Sequence, residues 1–248
     1  MSRRKLKKFA QNEERKNILE PGKPLYQNLK GNWNELIFKN SNEIVLELAC
    51  GRGEYSTGLA EKFPDKNFIG IDLKGDRLWY GSNVALEKQL DNVAFLRCQI
   101  QHLNYFFEKH EVAEIWIVFP DPRPKKGDAK RRLTHPRFLK IYHEILKPGG
   151  WVNFKTDNKQ LFEYSVETLE TLELTLEALT RDLYNSPFLE EHYGITTRYE
   201  RKFSAQGLTI NYLKFKYKEG FSADHLLDKS FVEMYSPFEG KLSREMEC

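Results

Sequence analysis

One carboxylate, Asp121, stands between Pro120 and Pro122 at the end of an apolar run, and six basic side chains follow it: Arg123, Lys125, Lys126, Lys130, Arg131 and Arg132. The prolines restrict the backbone on both sides of the acid. The cations offer affinity for phosphate that falls as salt rises. A fixed acid beside such a cluster suits a site that binds a polyanion and orients one group on it. A turn-capping acid in a solvated loop is the plainer reading of the same residues.

A second group of chemistry-bearing residues lies upstream, in Glu47-Leu48-Ala49-Cys50-Gly51-Arg52-Gly53-Glu54. Gly51 and Gly53 permit positive φ and close approach of a ligand to the backbone. Asp72 ends the next apolar run, where a carboxylate suits the two hydroxyls of a ribose. A dinucleotide fingerprint needs a glycine where this chain has Ser56. S-adenosylmethionine, with an ammonium and a sulfonium, is favoured instead by the acids Glu47 and Glu54.

The elements that carry these loops alternate. Strands are expected at 44–49, 67–72, 93–98, 114–119 and 151–156. Helices are expected at 54–63, 76–90, 103–110, 136–146 and 159–172, with a further helix over 25–38 and Lys147-Pro148-Gly149-Gly150 as a stop signal. The alternation predicts an α/β fold with a doubly wound, mainly parallel sheet. Two later runs, 174–183 and 208–218, predict an antiparallel pair at the sheet edge. The polar segment 1–24 is expected to be a mobile basic arm, 25–220 the catalytic domain, and 221–248 a C-terminal extension without a clear role.

The chain has 248 residues and a formal net charge of +3, unevenly spread. Residues 1–24 hold eight Lys/Arg against three Glu, and 123–132 hold six against one Asp. Two basic islands on a near-neutral body point to an anionic partner. The three cysteines, Cys50, Cys98 and Cys248, have no metal-binding or disulfide spacing. A cytoplasmic protein without metal or membrane contact is expected, as monomer or homodimer.

The chain resembles the bacterial tRNA (guanine-N7-)-methyltransferase family. The matching text is Leu46 to Gly53, Phe68 to Asp72, Phe119 to Lys126, Lys130 to Thr134, Phe154 to Asn158 and Thr197 to Phe203. The resemblance implies a Rossmann-like methyltransferase sheet of seven strands and transfer of a methyl group from S-adenosylmethionine to N7 of a guanine in the tRNA variable loop, guanine 46 being expected. It implies that Glu47, Gly51, Gly53, Asp72, Gln99 and Asp121 bind the cofactor. It implies that Lys125, Asp157, Thr197, Arg198, Tyr199 and Glu200 bind the substrate, and that Lys126, Lys130, Arg131 and Arg132 touch RNA. Two positions depart from the family pattern: Gln99 replaces an acid that meets the adenine, and Arg123 replaces a frequent tryptophan. An amide still bonds an adenine edge, and a guanidinium still lies flat on a base.

Guanine N7 is a lone-pair nucleophile at neutral pH, so no base is needed. Orientation and stabilisation of the cationic product are what the protein must supply. Asp121 is the leading candidate for that charge and Asp157 the second. His135 and His143 are left without a chemical role. Lys155 and Lys159 are expected to extend the phosphate track, and Trp33, Trp79, Trp116 and Trp151 to pack in the core. Competing readings are a methyltransferase of a small molecule or protein, a non-catalytic RNA-binding protein with a degenerate pocket, and an NAD-dependent oxidoreductase.

Overall fold

A computed structural model describes residues 3–204, 207 and 209–222 of the chain. Of the expected C-terminal extension, all but residues 221 and 222 lies outside the described residues. Eight strands form one sheet: β1 (Ile18–Leu19), β2 (Glu43–Leu48), β3 (Lys66–Ile71), β4 (Val93–Leu96), β5 (Val112–Val118), β6 (Leu146–Thr156), β7 (Thr175–Thr180) and β8 (Asn211–Lys216). The helices are α1 (Arg3–Glu14), α2 (Glu54–Lys62), α3 (Gly75–Glu87), α4 (Pro136–Ile145), α5 (Lys159–Thr171) and α6 (Arg198–Ser204). Strand order is β1-β4-β3-β2-β5-β6-β8-β7, parallel except where β8 pairs with β6 and β7.

The central strands are apolar on both faces because helices cover both. On one face Leu46, Leu48, Ile115, Ile117 and Phe154 pack with Phe138, Leu139 and Tyr142 of α4 and with Leu161, Phe162 and Val166 of α5. On the other, Val45, Phe68, Phe95 and Trp116 pack with Tyr55 and Leu59 of α2 and Leu78 of α3. The period-two side-chain alternation of each strand divides its residues between these layers.

The sheet has eight strands where seven are expected, and the extra one comes from the presumed arm. Ile18 and Leu19 are buried and pair with Phe95 and Leu96. Two apolar residues between charged runs are too short a signal for a strand. The preceding residues form α1 against α3. Asn12 Nδ2 donates to the Gly75 carbonyl at 2.9 Å, and Arg15 donates to the Trp79 carbonyl at 2.9 Å and to Ser82 Oγ at 3.1 Å. Polar side chains hold this helix, so no apolar stripe betrays it. Lys23 Nζ closes the turn, donating to the carbonyls of Asn12, Arg15 and Ile18 at 2.6 Å each.

Two further expectations shift. Residues 25–38 form two short turns, at Tyr26–Asn28 and Asn34–Phe38, and 103–110 gives way to a turn at Ile100–Tyr105. The helix stop at Lys147-Pro148-Gly149-Gly150 does end α4, yet those residues already belong to β6. They sit in an irregularity of register, with Val112 opposite Leu146 and Glu114 opposite Trp151. Trp33 and Trp116 are core residues. Trp79 and Trp151 are only part-buried, under Lys8 and Arg15 and under Lys214 and Lys216 respectively.

Candidate active site

The crevice opens where the chain order reverses, between β2 and β5, the usual ligand position in an open α/β sheet. The loop leaving β2 turns through three positive φ angles: Ala49 (57°), Gly51 (56°) and Gly53 (67°). The two glycines serve different ends. A Cβ on Gly53 would lie 2.4 Å from the Phe95 ring, so this glycine lets α2 approach the sheet. A Cβ on Gly51 would meet nothing within 4 Å, so this position faces open space while its N–H donates to Asp72 Oδ2 at 3.1 Å. Lys74 N donates to the other Asp72 oxygen at 2.8 Å. The carboxylate is thereby aimed across a cavity lined by Ala49, Asp72, Leu73, Gln99, Leu133 and Phe138, among others. Leu133 and Phe138 are lining residues the sequence reading does not single out. Their signal is an apolar residue at the end of the basic loop and a second in the first turn of α4.

Glu47 lies beneath this loop and is 3% exposed. Its Oε2 accepts from both the backbone N–H and the hydroxyl of Ser56. Ser56, the residue that breaks the dinucleotide fingerprint, is therefore the partner that buries the acid. Burial pushes the Glu47 carboxyl up to about 8, against the opposing effect of the Ser56 bonds. Glu54 turns the other way and accepts from Arg198 N at 3.0 Å.

The loop leaving β5 is strained at both ends of its acid. Phe119 has φ 49° and Arg123 φ 47°, a conformation that costs a non-glycine residue about 1–2 kcal/mol. Asp121 itself is exposed, with Oδ2 3.2 Å from the Arg123 guanidinium and Oδ1 accepting from Arg123 N at 3.3 Å. Lys125, Lys126 and Arg131 are exposed and Lys130 is half-buried. Arg131 pairs with Asp128 at 3.3 Å. Arg132 departs from the expected RNA contact. It is buried, donates to the Arg123 carbonyl at 3.1 and 3.2 Å, and lies over the Tyr164 ring. It braces the loop from below.

The tip of β6 and the start of α6 meet beside this loop. Tyr199 OH donates to Asp157 Oδ2 at 3.0 Å, and the Tyr199 ring centroid is 5.3 Å from that of Phe119. Burial and the adjacent Asp157 push the Tyr199 phenol up to about 12, so it remains a donor. Asn158, not Asp157, caps α5, accepting from Leu161 N at 2.8 Å, which leaves Asp157 to Tyr199. Thr197 and Glu200 form a reciprocal cap. Thr197 Oγ1 accepts from Glu200 N at 3.0 Å, and Glu200 Oε2 accepts from Thr197 N at 3.3 Å. Glu200 has no exposed surface, and neither has its partner Lys155, 2.6 Å away. Lys155 therefore does not extend a phosphate track; Lys159, on α5, is exposed. His135 caps α4 through Nδ1, and burial holds it down to about 4. His143 packs against Tyr217. Among the described residues no cluster of His, Cys, Asp or Glu could hold a metal ion, and no helix is long and apolar enough to cross a membrane.

The family model described as "Putative methyltransferase" matches residues 41–213. The tRNA (guanine-N(7)-)-methyltransferase of Cytophaga hutchinsonii is 50% identical over 219 residues, covering 88% of this chain and 99% of the relative. That of Christiangramia forsetii is 45% identical over 222 residues, with the same coverage. Among solved structures, the 16S rRNA methyltransferase KamB superposes with a TM-score of 0.57 at 15% identity, covering 74% of this chain and 92% of that one. That likeness shows a shared fold. At the level of sequence, the chain belongs to the tRNA (guanine-N(7)-)-methyltransferase family.

Proposed function

We propose that the chain methylates N7 of guanine 46 in the tRNA variable loop, with Asp121 and Asp157 at the guanine and the cavity over Asp72 holding the donor. The activity, tRNA (guanine-N7-)-methyl transfer from S-adenosylmethionine, is that of the family. The observation that carries the proposal is the convergence of Phe119, Tyr199 and Asp157 at the tips of neighbouring strands β5 and β6, beside the loop that presents Asp121.

The residues fit the donor. Asp72 offers a fixed carboxylate to a ribose, Gly51 leaves room for a ligand, and Leu133 and Phe138 give an apolar bed for adenine with Gln99 at its rim. When bound, S-adenosylmethionine supplies the sulfonium methyl whose carbon is attacked by the guanine N7 lone pair as the carbon–sulfur bond breaks. Asp121 compensates the positive charge that the base gains. Asp157, held by Tyr199, accepts from guanine N–H groups. Lys125, Lys126, Lys130 and Arg131 hold the neighbouring phosphates, and Thr197 and Arg198 place Tyr199. Glu47 supports the donor loop from below.

The test is Asp121→Ala, assayed by methyl incorporation into tRNA lacking 7-methylguanine, with the methylated nucleotide mapped. We expect kcat to fall by about 10²–10³-fold, the usual cost of losing one stabilising group, with S-adenosylhomocysteine affinity and Tm near wild type. Wild-type turnover would remove Asp121 from the mechanism. Methyl transfer mapped to another nucleotide would remove guanine 46.

A further inference from the structure

Under the exposed face of the site lies an ion pair that the methyl transfer does not call for. The side chains of Lys155 and Glu200 are both 0% exposed, with Nζ 2.6 Å from Oε1. The same Oε1 accepts from Tyr184 OH at 2.7 Å, while Oε2 accepts from Thr197 N. Lys155 Nζ also lies 5.4 Å from the Tyr55 ring centroid and 5.7 Å from that of Phe119. The Lys155 carbonyl accepts from Phe119 N at 2.8 Å. One residue at a strand tip thus touches the strained start of the Asp121 loop, the floor under α2, and the acid that anchors α6. Burying two opposite charges is expensive, and apolar residues of the same volume often serve stability equally well. Stability alone therefore gives a poor account of the pair. What the pair adds is direction: Lys155 and Tyr184 hold one Glu200 oxygen while the other accepts from Thr197 N.

We propose that Lys155 is a positioning residue for the guanine site: by fixing Glu200 beneath Thr197 and Arg198 it sets the first turn of α6, so that Tyr199 stands against Phe119 and donates to Asp157. Glu200 then acts through the helix it anchors and does not touch the base. This inference rests on the reading of Asp157 and Tyr199 as guanine-facing residues.

The experiment compares Lys155→Met, Lys155→Arg and the double variant Lys155→Met/Glu200→Gln with the full wild-type chain. Readouts are kcat and KM for tRNA, S-adenosylhomocysteine affinity by calorimetry, and Tm. For Lys155→Met we expect kcat to fall about 100-fold while tRNA KM and S-adenosylhomocysteine affinity stay within about threefold, the signature of lost geometry at the reacting centre. Lys155→Arg, which keeps the charge, should retain more of kcat than Lys155→Met. The double variant should recover kcat about tenfold or more over Lys155→Met, since a neutral amide still serves Thr197 and Tyr184 and no charge is left unpaired. A double variant that binds S-adenosylhomocysteine normally but is as inactive as Lys155→Met would overturn the inference. So would a loss confined to tRNA KM with a flatter salt dependence, which would make Lys155 a phosphate contact. If Lys155→Met does not fold, the double variant decides alone: kcat within about thirtyfold of wild type upholds the coupling, and a greater loss with intact S-adenosylhomocysteine binding rejects it. Asp157→Ala tests the underlying reading separately, since wild-type kcat in that variant would sink the guanine site itself.

Discussion

The acids of this site divide by environment more than by position in the sequence. Asp121 is exposed and faces a guanidinium, Asp72 is fixed by two backbone N–H groups, and Glu47 is sealed under the loop with Ser56. Sealing has a consequence for pH. The Glu47 carboxyl ionises near 4.5 in an ordinary setting and is pushed to about 8 in the fold, mainly by burial. A raised folded value means that the folded state keeps a proton the unfolded chain has lost. The associated stability is therefore fully present below about 4.5, falls as pH rises, and levels off above about 8. Glu47→Gln mimics the protonated acid and removes this slope. We expect the Tm of Glu47→Gln relative to wild type to rise between pH 5 and pH 8, by an amount on the order of a few kcal/mol in stability. A constant difference across that range would show that Glu47 is ionised in the folded protein. The same contrast explains what could be read in advance. Asp72 and Asp121 were legible because glycines, prolines and strand ends mark their backbone. The burial of Lys155, Glu200 and Arg132 was not legible, because a charged residue in isolation reads as surface and only tertiary partners reveal otherwise.

At the scale of elements, the alternating core was legible and its edges were not. Each of β2 to β6 carries an apolar run long enough to declare itself, and α4 and α5 carry helical spacing, α4 with a stop signal. The segment from Arg3 to Leu19 has neither. Its helix is held to α3 by hydrogen bonds from Asn12 and Arg15 and by Trp79 Nε1 donating to Gln11. Its strand is two residues long. Such a helix is integral to the fold, and its removal tests this directly. Deleting residues 1–16 removes these bonds and uncovers α3. At about 0.5–1.5 kcal/mol for each bond, the loss amounts to about 2–4 kcal/mol, which in a chain of this size lowers Tm by roughly 4–16 °C. An unchanged Tm by differential scanning calorimetry would mean that α1 does not pack on α3 in solution.

Taken whole, the molecule sets its two basic islands on either side of the Asp72 cleft. The first rides on α1, which packs on α3, the helix between β3 and β4. The second leaves β5, and the Asp72 cleft lies between them. Arg3, Arg4 and Lys7 are exposed on α1, as Lys125, Lys126 and Arg131 are on the loop. On the proposed reading, a polyanion that reaches both islands would pass over the cleft and carry a base towards Asp121. Salt dependence measures this arrangement, since each phosphate contact adds about 0.7–0.9 to the slope of log K against log salt. Replacing Lys125, Lys126 and Arg131 by Ala should lower the slope for tRNA by about 2–3, and replacing Arg3, Arg4 and Lys7 by Ala should lower it by a similar amount. If one tRNA bridges both islands, the two reductions add in the combined variant, and S-adenosylhomocysteine affinity is untouched throughout. If the α1 substitutions leave the slope as it is, the first island faces solvent and the loop alone holds the RNA. Should the two sets fail to add, the islands serve alternative binding poses, and the cleft is not what the RNA is stretched across.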